Sequence, residues 1–536
     1  MKNIKRAIQI SMVLGILISF SACTELYDKS YVDITGNYQP SLDDIGVVLG
    51  PAYSAWRDVL FSKRGYTGLY LSEEISADIL AVAYKPYGFI DNDDHRRMHE
   101  HTWGAEQIHV RNLWADCYAA INNTNRILLF SDQGLIDDPT FRAELRVLRA
   151  SYYWVLCDNY GNVPIVDRYD VEEGYLPEQS TRLEVYNWIV KEIEESIPDL
   201  SENTTDTYAR FNKWAAYTLL AKVYLNAEVY SGTAQWQKCL DACDMVIESG
   251  RYIIEEDFKT NFKENNTGSK ETIFAVPYDH KYAGAISIAA WTMLPQNQRT
   301  YNTLYGGWGG LTSIPQFIDT YDTLDVRYTE GWMIGQQYDS NGDSLYCEYG
   351  VLVGQPLAYV NELPGIDSTQ EIHSLRINKW EIGDGCYANN QDNDFPLFRY
   401  ADVLMMKAEC LLRLGQAPAA AEIVTDIREY RFKDNPDHAT VTGAQLSGGS
   451  TYDYGLRNFH GNTYEGGADI TYGRMLDELG WEFAAEGHRR QDLIRFGVYT
   501  TKSWLSHSPN GDYRTLFPIP QKELDKNTNL TQNDGY

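Results

Sequence analysis

The residues of this chain best suited to act on another molecule are aromatic. Trp291, Tyr301, Tyr305 and Trp308 are strung along AAWTMLPQNQRTYNTLYGGWGGLTS. Gly306, Gly307, Gly309 and Gly310 leave Trp308 on a backbone without neighbouring side chains to bury it. A ring presented in this way offers an apolar face with a polar edge, a shape that stacks on a pyranose or furanose. Rings of this kind also anchor loops, and both readings fit each of them. A second group, Tyr84, Tyr87 and Phe89, lies in AVAYKPYGFIDNDDHRRMHEHTW, an insert with Pro86, Gly88 and an Asn/Asp cluster, all loop signals. Arg376 in HSLRINKW can offer a bidentate fork to vicinal hydroxyls or enter a structural ion pair.

Other chemistries find less support. His99-Glu100-His101 places two histidines on one side of an extended chain, but no HExxH and no third ligand of familiar spacing follows, so they read as solvated loop histidines and no metal is expected there. Asp339-Ser340-Asn341-Gly342-Asp343 resembles the start of a calcium loop but lacks the glycine and terminal glutamate of an EF-hand. Asn341-Gly342 is a good hairpin turn, and the turn is the expectation; no cofactor is expected, a structural calcium at this loop being the one candidate. Glu482, Glu486, Arg489, Arg490, Asp492 and Arg495 could be read as acid/base machinery, yet alternating signs at helical spacing more often make a structural charge network. Glycoside hydrolysis needs two carboxyl groups across a cleft, and no stretch isolates such a pair. No catalytic residues are assigned.

The elements that must position these residues are mostly helical. With 536 residues, 43% hydrophobic and 23% charged, the chain can bury a large core. Its net charge of −29 repels phosphate backbones and disfavours nucleic acid. Residues 141–260 read as helical pairs of tetratricopeptide-like length joined by short polar links, a scaffold that usually holds partners. Residues 269–390 lose helical periodicity and gain Gly and Tyr, with TIFAVPYDH as a strand. In residues 393–415, Ala401, Leu404, Met405, Ala408, Leu411 and Leu412 recur at helical spacing opposite Asp402, Glu409 and Arg413. Glu409 and Arg413 suit an exposed i,i+4 pair, Gly415 suits the helix end, and Gln416 and Pro418 open the next helix. Residues 433–472 read as a long loop without a core of its own.

The first 23 residues look like a bacterial lipoprotein signal. Lys2, Lys5 and Arg6 precede an apolar run too short to span a bilayer, and Ser21-Ala22-Cys23 forms a small-residue cleavage site. The resemblance implies cleavage before Cys23 and acylation of that residue, although Phe20 stands where most such signals place an aliphatic side chain; the alternative reading is ordinary secretion with cleavage near Ala22. Glu25 and Asp28 point to surface export. Seven cysteines remain, without CxxC or zinc spacing, and the odd number argues against a disulfide framework.

FPLFRYADVLMMKAECLLRLG, GNVPIV, MLDELGWEFAAEGHRRQDLIRFG and the ending LFPIPQKELDKNTNLTQNDGY resemble, in order, the signatures of the SusD-like (RagB/SusD) outer-membrane lipoproteins, which bind nutrients at the surface of gut Bacteroidetes. The resemblance runs from Cys23 to Tyr536. It implies a mainly α SusD-like fold, with tetratricopeptide-like helical pairs as scaffold and an irregular loop-rich region with a few short strands. It divides the chain into a signal peptide (1–22), an N-terminal helical scaffold (23–268), a ligand-binding region (269–390) and a C-terminal helical region (391–536). It further implies a non-enzymatic glycan binder at the cell surface, lipid-anchored to the outer membrane, that passes its ligand to a SusC-like TonB-dependent transporter. Some relatives handle peptides instead. In the family, a loop after an Asp-containing helix end, here Ser76-Ala77-Asp78, brings an aromatic to the glycan; Tyr87 and Phe89 stand where most relatives have Trp. By resemblance the ligand-binding positions are therefore Asp78, Tyr84, Tyr87, Phe89, Trp291, Tyr301, Tyr305, Trp308 and Arg376, with Trp291, Tyr305 and Trp308 leading.

Overall fold

Helical periodicity in the first half of the chain becomes a file of helices, each packed on its neighbour. In the computed structural model, which describes residues 45–87 and 93–536, the file runs through Ile108–Asp132, Pro139–Asn159, Arg182–Ser196, Lys213–Leu225 and Trp236–Glu248. Local chemistry starts these helices. Asp138 accepts hydrogen bonds from the Thr140 and Phe141 amides ahead of Pro139, Asn212 caps the Trp214 and Ala215 amides, and Thr181 and Glu184 form a reciprocal capping box. Cys239 and Cys243 are buried on one face of the Trp236–Glu248 helix, as small hydrophobes.

The next members of the file come from far along the chain. Tyr400–Arg413 packs on Trp236–Glu248, and Ala417–Arg431 packs on Tyr400–Arg413. Ala401, Met405, Ala408, Leu411 and Leu412 fall on the buried side, joined there by Val424, Ile427, Met475 and Leu479. Gly415, at φ +79°, makes the turn between the two helices.

Residues 249–399 therefore form an excursion that leaves the file and returns to it. Its neck is a two-stranded antiparallel ribbon, Thr272–Val276 against Phe395–Arg399, with Phe395 opposite Val276 and Arg399 opposite Thr272. Helix takes 45% of the described residues and strand 9%, and the described strands pair only in twos. They tie loops together rather than build a sheet core.

Arg399 closes the neck. Fully buried, it uses every guanidinium donor: Nη1 to Glu271 at 2.7 Å and Glu482 at 2.9 Å, Nε and Nη2 to Glu486 at 2.8 Å each, and Nη2 to the Glu482 carbonyl at 2.9 Å. Glu482 also accepts from Arg431 and Arg327, and Lys379 donates to Glu486. Burial alone would raise the Glu482 carboxyl, but Arg431, Arg399 and Arg327 hold it well below its ordinary value. The charged stretch at 482–495 is thus a structural network, as its spacing predicts.

Two expectations are corrected. Glu409 is not exposed: it is buried, with both oxygens on Arg495 at 2.7 Å, and Arg413 joins from the side at 2.8 Å. Residues 433–472 are a long loop that buries its rings on the rest of the molecule: Tyr452 and Tyr454 stack at 4.1 Å and donate to the Asp78 carbonyl and carboxylate. His99 and His101 are not solvated either. Both are fully buried, and His101 lies 4.1 Å from the His507 ring.

Arg399→Ala would leave Glu271, Glu482 and Glu486 without their shared cation, and the expected loss is about 3–5 kcal/mol by urea unfolding. The buried histidines give a pH signature. Burial lowers His95 to about 3 and His99 to about 4, and His101, His109 and His507 also fall well below their ordinary value. Unfolded histidines titrate near 6.5, so their contribution is complete above that pH and is lost as pH falls, by about 1.4 kcal/mol per histidine per pH unit. Glu73 and Glu74, raised to about 8 by burial, act in the opposite sense. The histidines outnumber them, so the urea midpoint should drop between pH 6.5 and 5.

Candidate functional site

The rings of residues 291–308 divide into anchors and presented surfaces. Trp291, on the short Ile288–Thr292 helix, is fully buried, and its indole N–H donates to the Gly65 carbonyl at 2.7 Å. Its ring meets Trp308 edge to face at 5.1 Å. Trp308 is half-buried, resting beside Ala289, Ala290 and Ala388. The glycines around it serve close approach more than display. A Cβ on Gly307 would lie 2.1 Å from the Met293 carbonyl oxygen, so only glycine lets the loop settle against that segment.

Tyr305 is the presented ring. It is 65% exposed and stacks on Tyr387, itself 42% exposed, with centroids 5.3 Å apart and planes 24° from parallel. The two loops are bound at the base of the pair, where the Leu304 amide donates to the Cys386 carbonyl at 2.9 Å. The series continues through direct contacts. Ala388 packs in the same cluster as Trp308, the Tyr87 hydroxyl donates to the Trp308 carbonyl at 2.8 Å, and Tyr349 meets the Tyr87 ring at 5.5 Å. Burial raises the Tyr87 phenol above its ordinary value, which keeps it a neutral donor. Tyr84, partly exposed, is held by its backbone: its amide donates to the Ile366 carbonyl, and its own carbonyl accepts from Thr369 Oγ1.

Several expected positions lie elsewhere. Asp78 is fully buried, with Arg489 Nε at 2.7 Å, Arg489 Nη2 at 3.0 Å and the Tyr454 hydroxyl at 2.7 Å on its carboxylate, so it has no oxygen facing solvent. Trp291 is an anchor, not a platform. Arg376 is also fully buried and donates to the Gly309 and Leu311 carbonyls at 3.0 and 2.9 Å, so it holds the loop from beneath and reaches no vicinal diol. Tyr301 is half-buried in the cluster under Trp308, its hydroxyl 3.7 Å from Met333 Sδ. Phe89 and Cys23 lie outside the described residues. Tyr387 and Tyr349 were not anticipated. The signal for Tyr387 was a lone ring in the Gly- and Asn-rich GCYANNQDND, the same kind of loop that drew attention to Trp308.

The carboxylates that could have done acid/base chemistry are engaged. Glu482, Glu486, Asp492 and Asp78 are all buried against arginine. Asp339-Asn341-Asp343 closes as a hairpin, with the Asp339 carboxylate accepting from the Asn341 and Asp343 amides at 2.8 and 2.9 Å. No described helix is long and apolar enough to cross a membrane.

A mainly helical file with a tethered, loop-rich excursion is a fold seen in solved structures. Surface glycan-binding protein A from Bacteroides fluxus superposes with a TM-score of 0.68 at 20% identity, over 92% of this chain and 100% of that one. NanU of B. fragilis gives 0.71 at 21% identity, over 94% and 98%. The sequence carries the relationship further. The SusD family model matches residues 270–536, and a second model, SusD-like and described as starch-binding associating with outer membrane, matches residues 68–225. The chain belongs to the SusD family, and its fold is the SusD-like fold. The starch-binding protein SusD of Bacteroides thetaiotaomicron is 27% identical over 457 residues, 76% of this chain and 75% of that protein.

Anchor and platform should separate in a stability assay. Trp291→Ala removes a sealed indole and should cost about 3–5 kcal/mol. Tyr305→Ala, at an exposed ring, should leave the urea midpoint within about 0.5 kcal/mol of the parent value.

Proposed function

We propose that this protein holds an oligosaccharide at the cell surface on the rings of Tyr305, Tyr387, Trp308, Tyr87 and Tyr349, without altering it, and passes it to a TonB-dependent outer-membrane transporter. The observation that carries the reading is the Tyr305–Tyr387 pair, two stacked and exposed phenols on a backbone pinned from below. Stacked apolar surface left open to solvent is costly unless something covers it, and a sugar ring has the flat C–H face and hydroxyl rim to do so. The starch-binding relative supports a glycan as the ligand class. Attachment is assigned to acylated Cys23, on the signal-like sequence before it.

Binding through stacking and a few hydrogen bonds should fall in the micromolar to millimolar range, about −8 to −4 kcal/mol. Calorimetry against a panel of α- and β-linked oligosaccharides tests this. Tyr305→Ala and Tyr387→Ala should each weaken the binding glycan about tenfold, about 1.4 kcal/mol, without changing the fold. Unchanged affinity in both variants would remove the pair from the site, binding of peptides alone would replace the ligand class, and shortened products would make the protein a hydrolase.

A further inference from the structure

A second set of functional groups converges just behind Tyr387. One donor atom each from His280, Cys386 and Asp392 lies within 4.8 Å of the others. These side chains come from separate segments. His280 sits in a hairpin closed by the reciprocal Asp279 and Ala283 backbone hydrogen bonds, and Cys386 and Asp392 flank the turn that carries Tyr387. His280 Nδ1 faces both Asp392 oxygens, at 2.9 and 2.7 Å. A fourth donor stands close by. A Cβ on Gly383 would lie 2.6 Å from Glu264 Oε1 and 3.3 Å from Cys386 Sγ, so these two atoms border the same small space, which glycine leaves open.

The surroundings are built to hold this arrangement. The Asn390 side chain donates to the His280 carbonyl and accepts from the Ala285 amide at 2.9 Å. Gln391 accepts from the Gly383 amide at 2.6 Å and donates to the Tyr387 carbonyl at 2.8 Å. Cys386 is buried, while His280 and Asp392 keep 34% and 26% side-chain exposure, which leaves a path for a small ion.

We propose that His280, Cys386, Asp392 and Glu264 form a binding site for a borderline-soft divalent transition metal ion, of which zinc is the type. The donor set selects the ion class. One imidazole, one thiolate and carboxylate oxygens suit zinc or cobalt(II), whereas calcium and magnesium take oxygen donors alone. Bonds of 2.0–2.3 Å put the donors of a tetrahedral site about 3.3–3.8 Å apart, so small side-chain adjustments would bring the His280, Cys386 and Asp392 atoms into range, and Glu264, which borders the same space, would swing in as the fourth. Binding displaces the thiol proton of Cys386 to solvent, and a neutral imidazole ligating through Nδ1 carries its ring proton on Nε2. It also offsets the negative charge that Glu264, Asp384 and Asp392 concentrate around the sulfur. Because Tyr387 lies between the ligands in sequence, an ion would stiffen the loop under the exposed ring; that consequence alone rests on the glycan reading.

Cobalt(II) titrated into the whole, phosphine-reduced protein tests the site with no glycan present. One ion per chain should bind with a near-ultraviolet thiolate-to-cobalt charge-transfer band, zinc should bleach the band by competition, and zinc should raise the thermal midpoint. Cys386→Ser should abolish the band while retaining the parent circular dichroism. If that variant does not fold, His280→Gln, at a part-exposed position, decides instead, and the band should be lost there too. No band in the parent, a band that persists in either folded variant, or a preference for calcium over zinc would overturn the proposal. Tyr305→Ala should leave the cobalt spectrum intact, so failure of the glycan reading and failure of the metal site show in different experiments.

Discussion

The constraint on which the structure depends is the closure of the neck at Arg399. Residues 249–399 leave the helical file and must rejoin it in register, yet the ribbon that does so has register irregularities around Phe398. A two-stranded ribbon is a weak device for fixing alignment. Arg399 supplies what the ribbon lacks. Its five donors meet Glu271 on the outgoing segment and Glu482 and Glu486 on the C-terminal one, so a slip of one residue would strand several buried charges together. Apolar contacts at the same point would tolerate sliding; a planar guanidinium among fixed carboxylates does not. The network therefore serves alignment, and its net contribution to stability is the smaller matter.

With the neck fixed, the excursion can carry functional rings on loops without leaving them loose. Trp291 is sealed against Gly65 and supports Trp308 edge-on, and Arg376 holds the Gly309 and Leu311 carbonyls from beneath. What reaches solvent is the layer above these supports, with Tyr305 on Tyr387. A tyrosine has two side-chain torsions to order, and a ring already stacked on another has fewer states left to lose. The buried tryptophan and arginine hold the backbone beneath the exposed phenols.

Sequence reading recovers the elements that local rules determine. Helical period and the Gly415 turn are written within a few residues, and both appear in the structure. Burial is not local in this way. Asp78 resembles a ligand-contacting aspartate until Arg489, 411 residues away, is seen on its carboxylate. Glu409 seems to need only Arg413 on its own helix, yet Arg495 sets its environment. The same limit governs the aromatics. Glycines beside Trp308 admit both display and close packing, and only the position of Met293 shows that packing prevails. Tyr387 went unnoticed because a lone tyrosine among Asn and Gly carries no period, and its partner ring lies on another loop.

Placing tyrosines rather than tryptophans at the exposed positions has a thermodynamic sense. On the proposed function, in which the ligand is passed onward, tight retention would gain nothing, since affinity within a set of related complexes is tuned mainly through the off-rate. A phenol buries less area against a sugar than an indole does, and its hydroxyl returns part of the loss as a hydrogen bond that water can equally supply. On the same proposal, several such contacts in sequence would give a grip that strengthens with the number of sugar units engaged. The sealed Trp291 and the exposed Tyr305 mark the two ends of a division between packing and exposure, and the half-buried Trp308 lies between them, packed on one edge and open on the other.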